Sequence, residues 1–299
     1  MRLALGTAQF GLAYGVANAE GQISKSRAIE ILDYCQSIGL DTLDTAIAYG
    51  ESEQALGSIG VASFNVITKL PAIPESVADI EDWIMAEVQA SLSRLGISKL
   101  YGLMLHRPEQ MLGPFGLELM AALQLLKKSG IVQKIGISVY SPEEFAALFS
   151  NYDFDIIQCP FSLIDRRIVS SGWLERLKEI GVEVHVRSSF LQGLLLMPRN
   201  KIPEQFRAWD SLWDNWHDWL LKQSVSAVDA CIAYVLSHRD IDRVVVGVDS
   251  KHQLEQIVSA TGNVSIQSFP DISSTDSNLI NPSNWKKAHI QDYTFMSSV

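Results

Sequence analysis

Four side chains suited to acid–base chemistry stand at or just after three successive apolar segments of the sequence. Asp44 interrupts the first segment, Tyr49 follows it, and Lys69 and His106 end the next two. A phenol has a pKa of about 10 and is a poor acid at neutral pH, but a nearby ammonium group lowers that pKa. A carboxylate partner keeps a buried ammonium charged. With an imidazole to hold a carbonyl oxygen, the set predicts proton delivery to an oxygen that becomes negative as hydride reaches its carbon.

Each of these side chains also has a purely structural explanation. A lysine that ends a strand is usually a solvated tip, and a histidine after an apolar run is usually a satisfied structural residue. A buried aspartate often caps a neighbouring loop. The chemical interpretation is favoured if the three segments are adjacent strands of a barrel, because their polar ends then converge and Tyr49 lies in the loop above them.

These segments belong to a regular alternation of predicted strands and helices. Several strands are near-continuous apolar runs, which is typical of parallel strands covered on both faces. Each is followed by helical sequence, at spacings of roughly 20 to 40 residues that are typical of βαβ units. The predicted strands are Arg2–Thr7, Asp41–Ala46, Asn65–Leu70, Lys99–His106, Gln133–Ser138, Asp155–Phe161, Val182–Ser189 and Arg243–Val248.

Serine at the start and glycine after the end mark several of the helices. Eight strand–helix units favour a closed barrel, because a doubly wound sheet usually has fewer strands. The predicted fold class is therefore α/β: a single (β/α)8 TIM barrel over residues 1–262, with residues 263–299 as a C-terminal extension that Trp285 and Phe295 could pin down. The predicted helices are Ser24–Ile38, Ser52–Ile59, Asp79–Leu95, Leu117–Lys128, one starting at Ser141, Gly172–Ile180, Pro203–Lys222, Val228–Ser237 and His252–Ala260.

The composition indicates a folded chain with a sizeable core. Of the 299 residues, 47% are hydrophobic and 19% are charged, which excludes a disordered chain. The net charge of −10 argues against a nucleic-acid partner. Cys35, Cys159 and Cys231 have neither disulfide nor zinc-site spacing. Without a signal peptide or a membrane-length apolar stretch, we expect a cytoplasmic protein with no membrane partner.

An ordered set of motifs resembles the aldo-keto reductase family. The resemblance begins at Leu5-Gly6-Thr7-Ala8, includes Glu53, and runs to about Thr261. One such motif alone is weak, whereas the ordered set is specific. The remaining motifs are Asp44-Thr45-Ala46-Ile47-Ala48-Tyr49-Gly50, Ile67-Thr68-Lys69, Leu105-His106-Arg107-Pro108, Lys134-Ile135-Gly136-Ile137-Ser138 and Ile157-Gln158-Cys159-Pro160-Phe161-Ser162.

The resemblance implies NAD(P)H-dependent reduction of a small-molecule aldehyde or ketone, sugar-like carbonyls included, to the alcohol. It implies that Tyr49 is the general acid, that Lys69 tunes it, that Asp44 pairs with Lys69 and that His106 orients the substrate. The cofactor, NADPH or NADH, would lie extended across the barrel mouth, without a metal. The predicted cofactor-binding residues are Thr7, Ser138, Gln158, Arg187, Ser188, Gln192, Gly193, Gly247, Asp249, Ser250 and Gln253.

Two positions depart from the family pattern at the nicotinamide end. Val139 follows Ser138 where the family usually has Asn, so one cofactor hydrogen bond is expected to be missing. Arg187 stands where the family carries a Tyr that stacks on the nicotinamide ring. A guanidinium plane also stacks on a ring, but it brings positive charge to the redox centre. We predict that Arg187 lines the cofactor pocket; the alternative is an arginine that points to solvent or to the diphosphate.

A third departure bears on the choice between NADPH and NADH. The family pattern has a basic residue after the last strand that meets the 2′-phosphate, and this chain has Asp249 there, in Gly247-Val248-Asp249-Ser250. An acid repels a phosphate, whereas it accepts hydrogen bonds from a free ribose. Lys251 or His252 could compensate. The sequence therefore leaves both cofactors open.

Two apolar features have alternative explanations. Trp209, Trp213, Trp216 and Trp219 form either an aromatic wall for a sugar or flat substrate, or the buried stripe of an amphipathic helix, which we favour. The apolar loop Phe190–Met197 is expected to cover cofactor or substrate, although a dimer contact would also explain it. Nothing else in the sequence bears on the oligomeric state.

Three functions remain at this point. The first is an active aldo-keto reductase. The second is a catalytically idle member of the same fold that binds the dinucleotide as a regulatory or scaffold subunit, which Arg187 and the altered adenosine end favour slightly. The third is a barrel isomerase or lyase, which the missing metal-ligand cluster and missing phosphate-binding glycines disfavour.

Overall fold

The computed structural model describes residues 1–18, 21–262, 266 and 268–285, and its strands form one closed parallel barrel. The strands are β1 (Leu3–Gly6), β2 (Thr42–Asp44), β3 (Asn65–Leu70), β4 (Leu100–Leu105), β5 (Val132–Ser138), β6 (Ile156–Pro160), β7 (Glu183–Arg187) and β8 (Arg243–Gly247). Each strand pairs with the next in the chain, and β8 closes the barrel by pairing with β1. The predicted TIM barrel is confirmed, and the carboxyl ends of β2, β3 and β4 lie side by side.

Helices surround the barrel in the predicted order. The α-helices are α1 (Ala8–Gly11), α2 (Lys25–Ser37), α3 (Ser52–Ile59), α4 (Ile80–Leu95), α5 (Gly116–Lys128), α6 (Glu143–Phe149), α7 (Arg167–Ser170), α8 (Trp173–Glu179), α9 (Asp210–Gln223), α10 (Ala227–Ser237), α11 (Lys251–Ala260) and α12 (Ser277–Ile280). Short 3-10 helices span Pro108–Leu112, Leu194–Leu196, Arg199–Lys201, Glu204–Trp209 and Pro282–Asn284. Most predicted bounds differ from these by one or two residues at an end.

Side-chain caps explain why the helix starts could be predicted. The Ser24 hydroxyl accepts a hydrogen bond from the backbone N–H of Arg27 at the start of α2, and Asp79 does the same for α4. Gly96 ends α4 in the left-handed conformation, with φ of 66°. These bounds are therefore set by local chemistry.

One predicted helix differs from the structure at its first turns. The prediction begins at Pro203, but the chain forms a 3-10 helix over Glu204–Trp209 before α9 begins. The Phe206 carbonyl accepts the indole N–H of Trp213 at 2.9 Å, so it is not used for the first α-helical turn. A side-chain contact between residues seven apart in the sequence thus accompanies this boundary.

The tryptophan-rich segment belongs to the core. Trp213 and Trp216 are fully buried, and Trp219 stacks on Trp216 with 5.8 Å between ring centroids. The indole N–H of Trp216 donates to the Leu195 carbonyl oxygen at 3.0 Å. These residues pack α9 onto the barrel, and the alternative of an aromatic substrate wall does not apply to them.

Glu53 ties the helix that follows the Tyr49 loop to its surroundings. One of its carboxylate oxygens accepts hydrogen bonds of 2.7 Å from the hydroxyls of Thr68 and Ser91. The other accepts one of 2.8 Å from Arg94. Glu53 is buried, so this charge is fully met by its partners, as a buried carboxylate requires. The contacts join α3 to β3 and α4.

The described part of the chain after the barrel packs against it. Ile272, Leu279 and Ile280 are buried. Trp285 meets the ring of Phe206 edge to face, at a centroid distance of 4.8 Å. Phe295, the other predicted anchor, lies outside the described residues.

Among the described residues, no single helix has both the length and the apolar character needed to cross a membrane. The helical stretches 204–223 and 227–237 meet those criteria only when taken together across a 94° bend.

Candidate active site

Asp44 and Lys69 form a buried ion pair at the ends of β2 and β3. The Lys69 Nζ lies 2.7 and 2.8 Å from the two Asp44 carboxylate oxygens and 2.9 Å from the Thr45 carbonyl oxygen, so each ammonium hydrogen has an acceptor. Ile67 lies opposite Asp44 in the strand register, and Lys69 projects to the same face as Ile67 because side chains alternate along a strand. Lys69 is 0% exposed and Asp44 4%.

The loop that carries Tyr49 is fixed against the start of the barrel. The Ser52 hydroxyl donates to the Thr7 carbonyl oxygen at 2.8 Å and lies 3.1 Å from the Thr45 hydroxyl. Gly11 packs so closely that a β-carbon there would lie 1.9 Å from the Tyr49 carbonyl oxygen, so a side chain at this position cannot fit. These contacts, and not a hydrogen bond of its own hydroxyl, determine where the phenol lies.

Tyr49, Lys69 and His106 lie together at the ends of β2, β3 and β4. The Lys69 Nζ lies 5.3 Å from the centroid of the Tyr49 ring. The His106 imidazole meets the same ring edge to face, at a centroid distance of 5.9 Å. Within the described part of the chain, neither the Tyr49 hydroxyl nor the His106 ring has a hydrogen-bond partner. Both groups can therefore bind a substrate oxygen.

The His106 imidazole is neutral in this environment. Burial lowers the pKa of His106 from 6.5 to about 3, and the positive charges of Lys69, Arg187 and Arg107 contribute. A neutral imidazole has one N–H, which donates a hydrogen bond without acting as a strong acid. This is the protonation state that suits a group holding a carbonyl oxygen in place.

The pKa of Tyr49 differs from the sequence-based expectation. Burial raises the pKa of Tyr49 above its usual value of 10.0, the Asp44 carboxylate raises it further, and Arg187 opposes them. This raised pKa contrasts with the lowered pKa expected from a nearby ammonium group. The Lys69 ammonium donates to both Asp44 carboxylate oxygens, and its role in tuning Tyr49 stays a prediction. A phenol with a raised pKa keeps its proton at neutral pH.

A cavity of about 440 Å³ opens beside Tyr49 at the carboxyl ends of the strands. Its wall includes residues from the ends of β1, β2, β6, β7 and β8, so the cavity spans the ends of five strands. The sequence-predicted site residues in this wall are Thr7, Asp44, Tyr49, Gln158, Arg187, Ser188, Gln192, Gly193, Gly247, Asp249 and Gln253.

The other sequence-predicted residues lie outside the cavity wall. Lys69 is buried and pairs with Asp44, which lines the cavity. His106 contacts the ring of Tyr49, which also lines the cavity. Ser138 is buried opposite Gln158 in the β5–β6 register. Ser250 caps α11, where its hydroxyl accepts from the Gln253 backbone N–H. Ser138 and Ser250 therefore do not line the cavity, whereas the other predicted cofactor-binding residues do.

Gln158 is held by the ion pair. Its side-chain amide donates to an Asp44 carboxylate oxygen at 2.7 Å. Gln158 is buried and also lines the cavity. The Asp44 carboxylate thus holds both the Lys69 ammonium and the Gln158 amide, and the amide lies in the cavity wall.

The segment of residues 12–18 crosses the cavity, and sequence reasoning assigned it no role. The Gln192 amide donates to the Tyr14 hydroxyl at 3.1 Å, and the Ala17 backbone N–H lies 3.4 Å from the Gln192 carbonyl oxygen. The Asn18 amide donates to the Asp249 carboxylate at 3.3 Å. Residues 12–18 therefore join the loop after β7 to the loop after β8. Their position in the connection between β1 and α2, at the carboxyl end of a barrel strand, was the available signal.

Ser189 is a second residue that sequence reasoning missed. It lies in the cavity wall at 2% exposure, and its hydroxyl has no hydrogen-bond partner among the described residues. A buried hydroxyl without a partner is costly. The cost would be removed by a ligand that reaches Ser189.

The loop after β7 has an unusual backbone. Ser188, Leu191 and Gln192 have φ angles of 64°, 48° and 53°, in the left-handed region that non-glycine residues rarely adopt. Such strain tends to persist where the surrounding structure fixes it, often at functional sites. Here Ser188 and Gln192 line the cavity, and Leu191 is buried beneath it. The apolar loop predicted to cover a ligand therefore contributes to the cavity wall.

The barrel thus carries a protonated phenol, a neutral imidazole and a buried lysine–aspartate pair at the carboxyl ends of neighbouring strands. The Aldo/keto reductase family model matches residues 2–276 of this chain, and the chain belongs to that family.

Three relatives illustrate the similarity. The uncharacterized oxidoreductase YqkF of Bacillus subtilis is 25% identical over 258 residues, which cover 79% of this chain and 82% of that protein. Aldo-keto reductase str7 of Strobilurus tenacellus is 26% identical over 211 residues, covering 68% of this chain and 60% of that protein. Among solved structures, the aldo-keto reductase AKR11C1 of Bacillus halodurans in its holo form superposes with a TM-score of 0.69, at 23% identity, covering 90% of this chain and 87% of that one.

Proposed function

We propose that this protein reduces an aldehyde or ketone to the alcohol with a nicotinamide cofactor. Tyr49 donates its hydroxyl proton to the carbonyl oxygen, and His106 holds that oxygen through its N–H. The bound dihydronicotinamide supplies the hydride to the carbonyl carbon. The observation that carries the proposal is a protonated phenol in the cavity wall, beside a neutral imidazole and without a hydrogen-bond partner among the described residues.

The cavity fits an extended dinucleotide. Two features of the loop after β7 favour a bound ligand there. The Ser189 hydroxyl has no hydrogen-bond partner among the described residues, and the backbone around Gln192 is strained. Gln158 and Arg187 would lie at the nicotinamide end, and Asp249 and Gln253 at the adenosine end. The other proposed contacts come from Thr7, Ser188, Gly193 and Gly247 in the wall, with Ser138 and Ser250 supporting it from behind.

Asp249 supports a preference for NADH. It lines the cavity and is half-buried, and its backbone N–H donates to the Gln253 side chain at 2.7 Å. The two bases that could compensate are directed elsewhere. Lys251 lies 3.3 Å from Glu255, and His252 lies 3.8 Å from the same carboxylate. Neither base lines the cavity, so a 2′-phosphate would meet the acid without either base beside it.

Replacing Asp249 with Asn is expected to raise kcat/KM for NADPH relative to NADH roughly tenfold, since a partly solvated carboxylate repels a phosphate by about 1–4 kcal/mol. Asn keeps an acceptor for the Asn18 amide. The matched control is Glu255→Gln, an acid on α11 outside the cavity wall, which should leave the ratio unchanged. A wild type that already prefers NADPH, or an Asp249→Asn variant with an unaltered ratio, would remove Asp249 as a discriminator.

Replacing Gly193 with Ala is expected to weaken cofactor binding roughly tenfold. Gly193 has φ of 88°, and a β-carbon there would lie 2.5 Å from the Ala17 β-carbon, so the segment of residues 12–18 must move away from the loop after β7. Gly181→Ala is the matched control, because φ is 75° there and the space around it is open. Both variants carry a backbone cost of about 1–2 kcal/mol. Fluorescence titration with NADH and NADPH should separate them; equal affinities would show that the contact with Ala17 does not matter for binding.

The function itself is tested by following the absorbance of the reduced nicotinamide with NADH and NADPH separately. The substrates are a panel of aldehydes, ketones and keto-sugars. Turnover that depends on the added carbonyl compound supports the proposal. Tight cofactor binding without turnover of any substrate would instead support a dinucleotide-binding regulatory or scaffold protein.

A further inference from the structure

Arg187 is fixed at the end of β7 by contacts toward β5. One terminal nitrogen donates to the Val139 carbonyl oxygen at 3.1 Å, and the guanidinium carbon lies 4.5 Å from the centroid of the Tyr140 ring. The other terminal nitrogen makes a long contact of 3.4 Å with the Ser188 hydroxyl. Arg187 is half-buried and lines the cavity. Its remaining N–H groups have no acceptor among the described residues.

Among the described residues, the positive charge of Arg187 has no carboxylate within ion-pair distance. Arg94, Arg167 and Arg243 are also partly buried, and each pairs with an acid. Arg2 and Arg166 instead donate to backbone carbonyl oxygens through two or more of their nitrogens. The chain carries 34 acidic and 24 basic side chains, so a missing partner is not due to a shortage of acids. A half-buried charge without a counter-charge is unfavourable unless a ligand supplies one.

Three acids at the same end of the barrel as Arg187 have other partners. Asp44 holds Lys69, as described above, and Asp165 forms two hydrogen bonds of 2.8 Å with Arg167. The Glu144 carboxylate accepts the backbone N–H groups of Tyr140 and Ser141, both at 2.8 Å. None of these acids could neutralise Arg187 without leaving another charge or a backbone donor unmet.

We propose that Arg187 binds a carboxylate on the substrate, so that the proposed reductase acts on carbonyl compounds that carry an acid group. This inference rests on the proposed function for the identity of the reacting carbonyl. Arg187 and Tyr49 line the same cavity, and the His106 ring contacts the Tyr49 ring. A carboxylate held by the planar N–H groups of Arg187 would therefore bring an attached carbonyl toward the proton donor.

The position of Arg187 favours the substrate over the cofactor diphosphate as the source of the anion. Its contacts with Val139 and Tyr140 draw the guanidinium toward β5, whereas the adenosine end of the cavity, at Asp249, follows β8. Strands β5 and β8 are separated by β6 and β7 in the barrel order. The guanidinium therefore lies on the side of the cavity that is remote from the adenosine end.

The test compares matched acid and ester substrates in wild type, Arg187→Met and Arg187→Lys. The pairs are 4-carboxybenzaldehyde with methyl 4-formylbenzoate, and pyruvate with methyl pyruvate, which place the charge far from and next to the carbonyl. Wild type should prefer the acid in at least one pair. In Arg187→Met, kcat/KM for that acid should fall roughly a hundredfold, as expected for the loss of a charge-assisted hydrogen-bonded pair. The ester should change by less than about threefold, and Arg187→Lys should restore part of the preference.

Controls separate this role from folding and from cofactor binding. The matched control is Arg176→Met. Arg176 also stacks on an aromatic ring, that of Trp173, but it lies on an outer helix. This variant should leave all kinetic constants unchanged. Arg187→Met also removes a proposed contact at the nicotinamide end, so the dissociation constants for NADH and NADPH should rise, but by much less than the hundredfold loss expected for the acid. A wild type that prefers both esters would overturn the proposal. So would a weakening of cofactor binding together with equal losses for acid and ester, because the anion would then be the diphosphate.

A binding measurement keeps this inference distinct from the proposed reaction. The ligands are 4-(hydroxymethyl)benzoate and L-lactate, which are the alcohol products of the two acids. Each is titrated into the protein saturated with the cofactor that it binds better, and the heat of binding is measured. This measurement does not depend on turnover. Binding of either acid by wild type that is lost in Arg187→Met supports the carboxylate site even if no carbonyl compound is reduced, in which case only the reductase proposal fails. Absence of binding and of acid preference in wild type overturns the carboxylate site itself.

Discussion

Turnover should fall by roughly 10²–10⁴-fold when Tyr49 is replaced by Phe, which is the range expected when a positioned proton donor is removed. The ring and its contacts with Lys69 and His106 are kept in this variant, so only the hydroxyl is lost. Cofactor affinity should change little, because the hydroxyl has no hydrogen-bond partner in the described chain whose loss would alter the cavity wall. The measurement is carbonyl-dependent oxidation of the reduced nicotinamide, with cofactor titration beside it.

The control for this prediction is Tyr34→Phe. Tyr34 lies on α2 beneath Lys251 and outside the cavity wall, so the same chemical change there should leave turnover intact. A Tyr49→Phe variant that retains more than about a tenth of wild-type activity would exclude Tyr49 as the general acid. Another residue would then have to supply the proton.

The second large effect is expected from Lys69→Met, both on stability and on turnover. Removing one member of a buried pair leaves the other charge uncompensated, at a cost of about 3–5 kcal/mol in the free energy of unfolding. Asp44 would also lose the partner that fixes it beneath Tyr49, so turnover should fall with stability. Urea unfolding and the reduction assay measure the two effects separately.

A double variant distinguishes the structural role of Lys69 from its role in the site. In Lys69→Met/Asp44→Asn no uncompensated charge remains, and the side-chain oxygen of the introduced asparagine could still accept from Gln158, so most of the stability should return. Turnover should not return if the charged lysine acts on Tyr49 during the reaction. Lys178→Met breaks an exposed pair with Asp242 and should cost less than about 1 kcal/mol. Recovery of full activity in the double variant would mean that the pair is only structural.

The order of elements could be read from the sequence because its signals are local. Ser24 and Asp79 cap helices by bonding to an N–H three residues away, and apolar runs such as Asn65–Leu70 mark strands covered on both faces. Once eight strands are counted, barrel closure follows from their number and spacing. The start of α9 could not be predicted in this way, because it depends on the contact of Trp213 with the Phe206 carbonyl.

The sequence by itself determined the barrel, the family resemblance and the types of the four candidate catalytic residues, since all of these depend on residue identity and order along the chain. Only the tertiary structure decided how those groups affect one another. It showed that Asp44 pairs with Lys69 and that burial raises the pKa of Tyr49, where a lowered value had been expected. It also brought residues 12–18 against the loops after β7 and β8. Within the described ranges, it left Arg187 without an acid at ion-pair distance. Burial, distance and the sharing of charge between partners are properties of space, and the spacing of residues along a chain does not specify them.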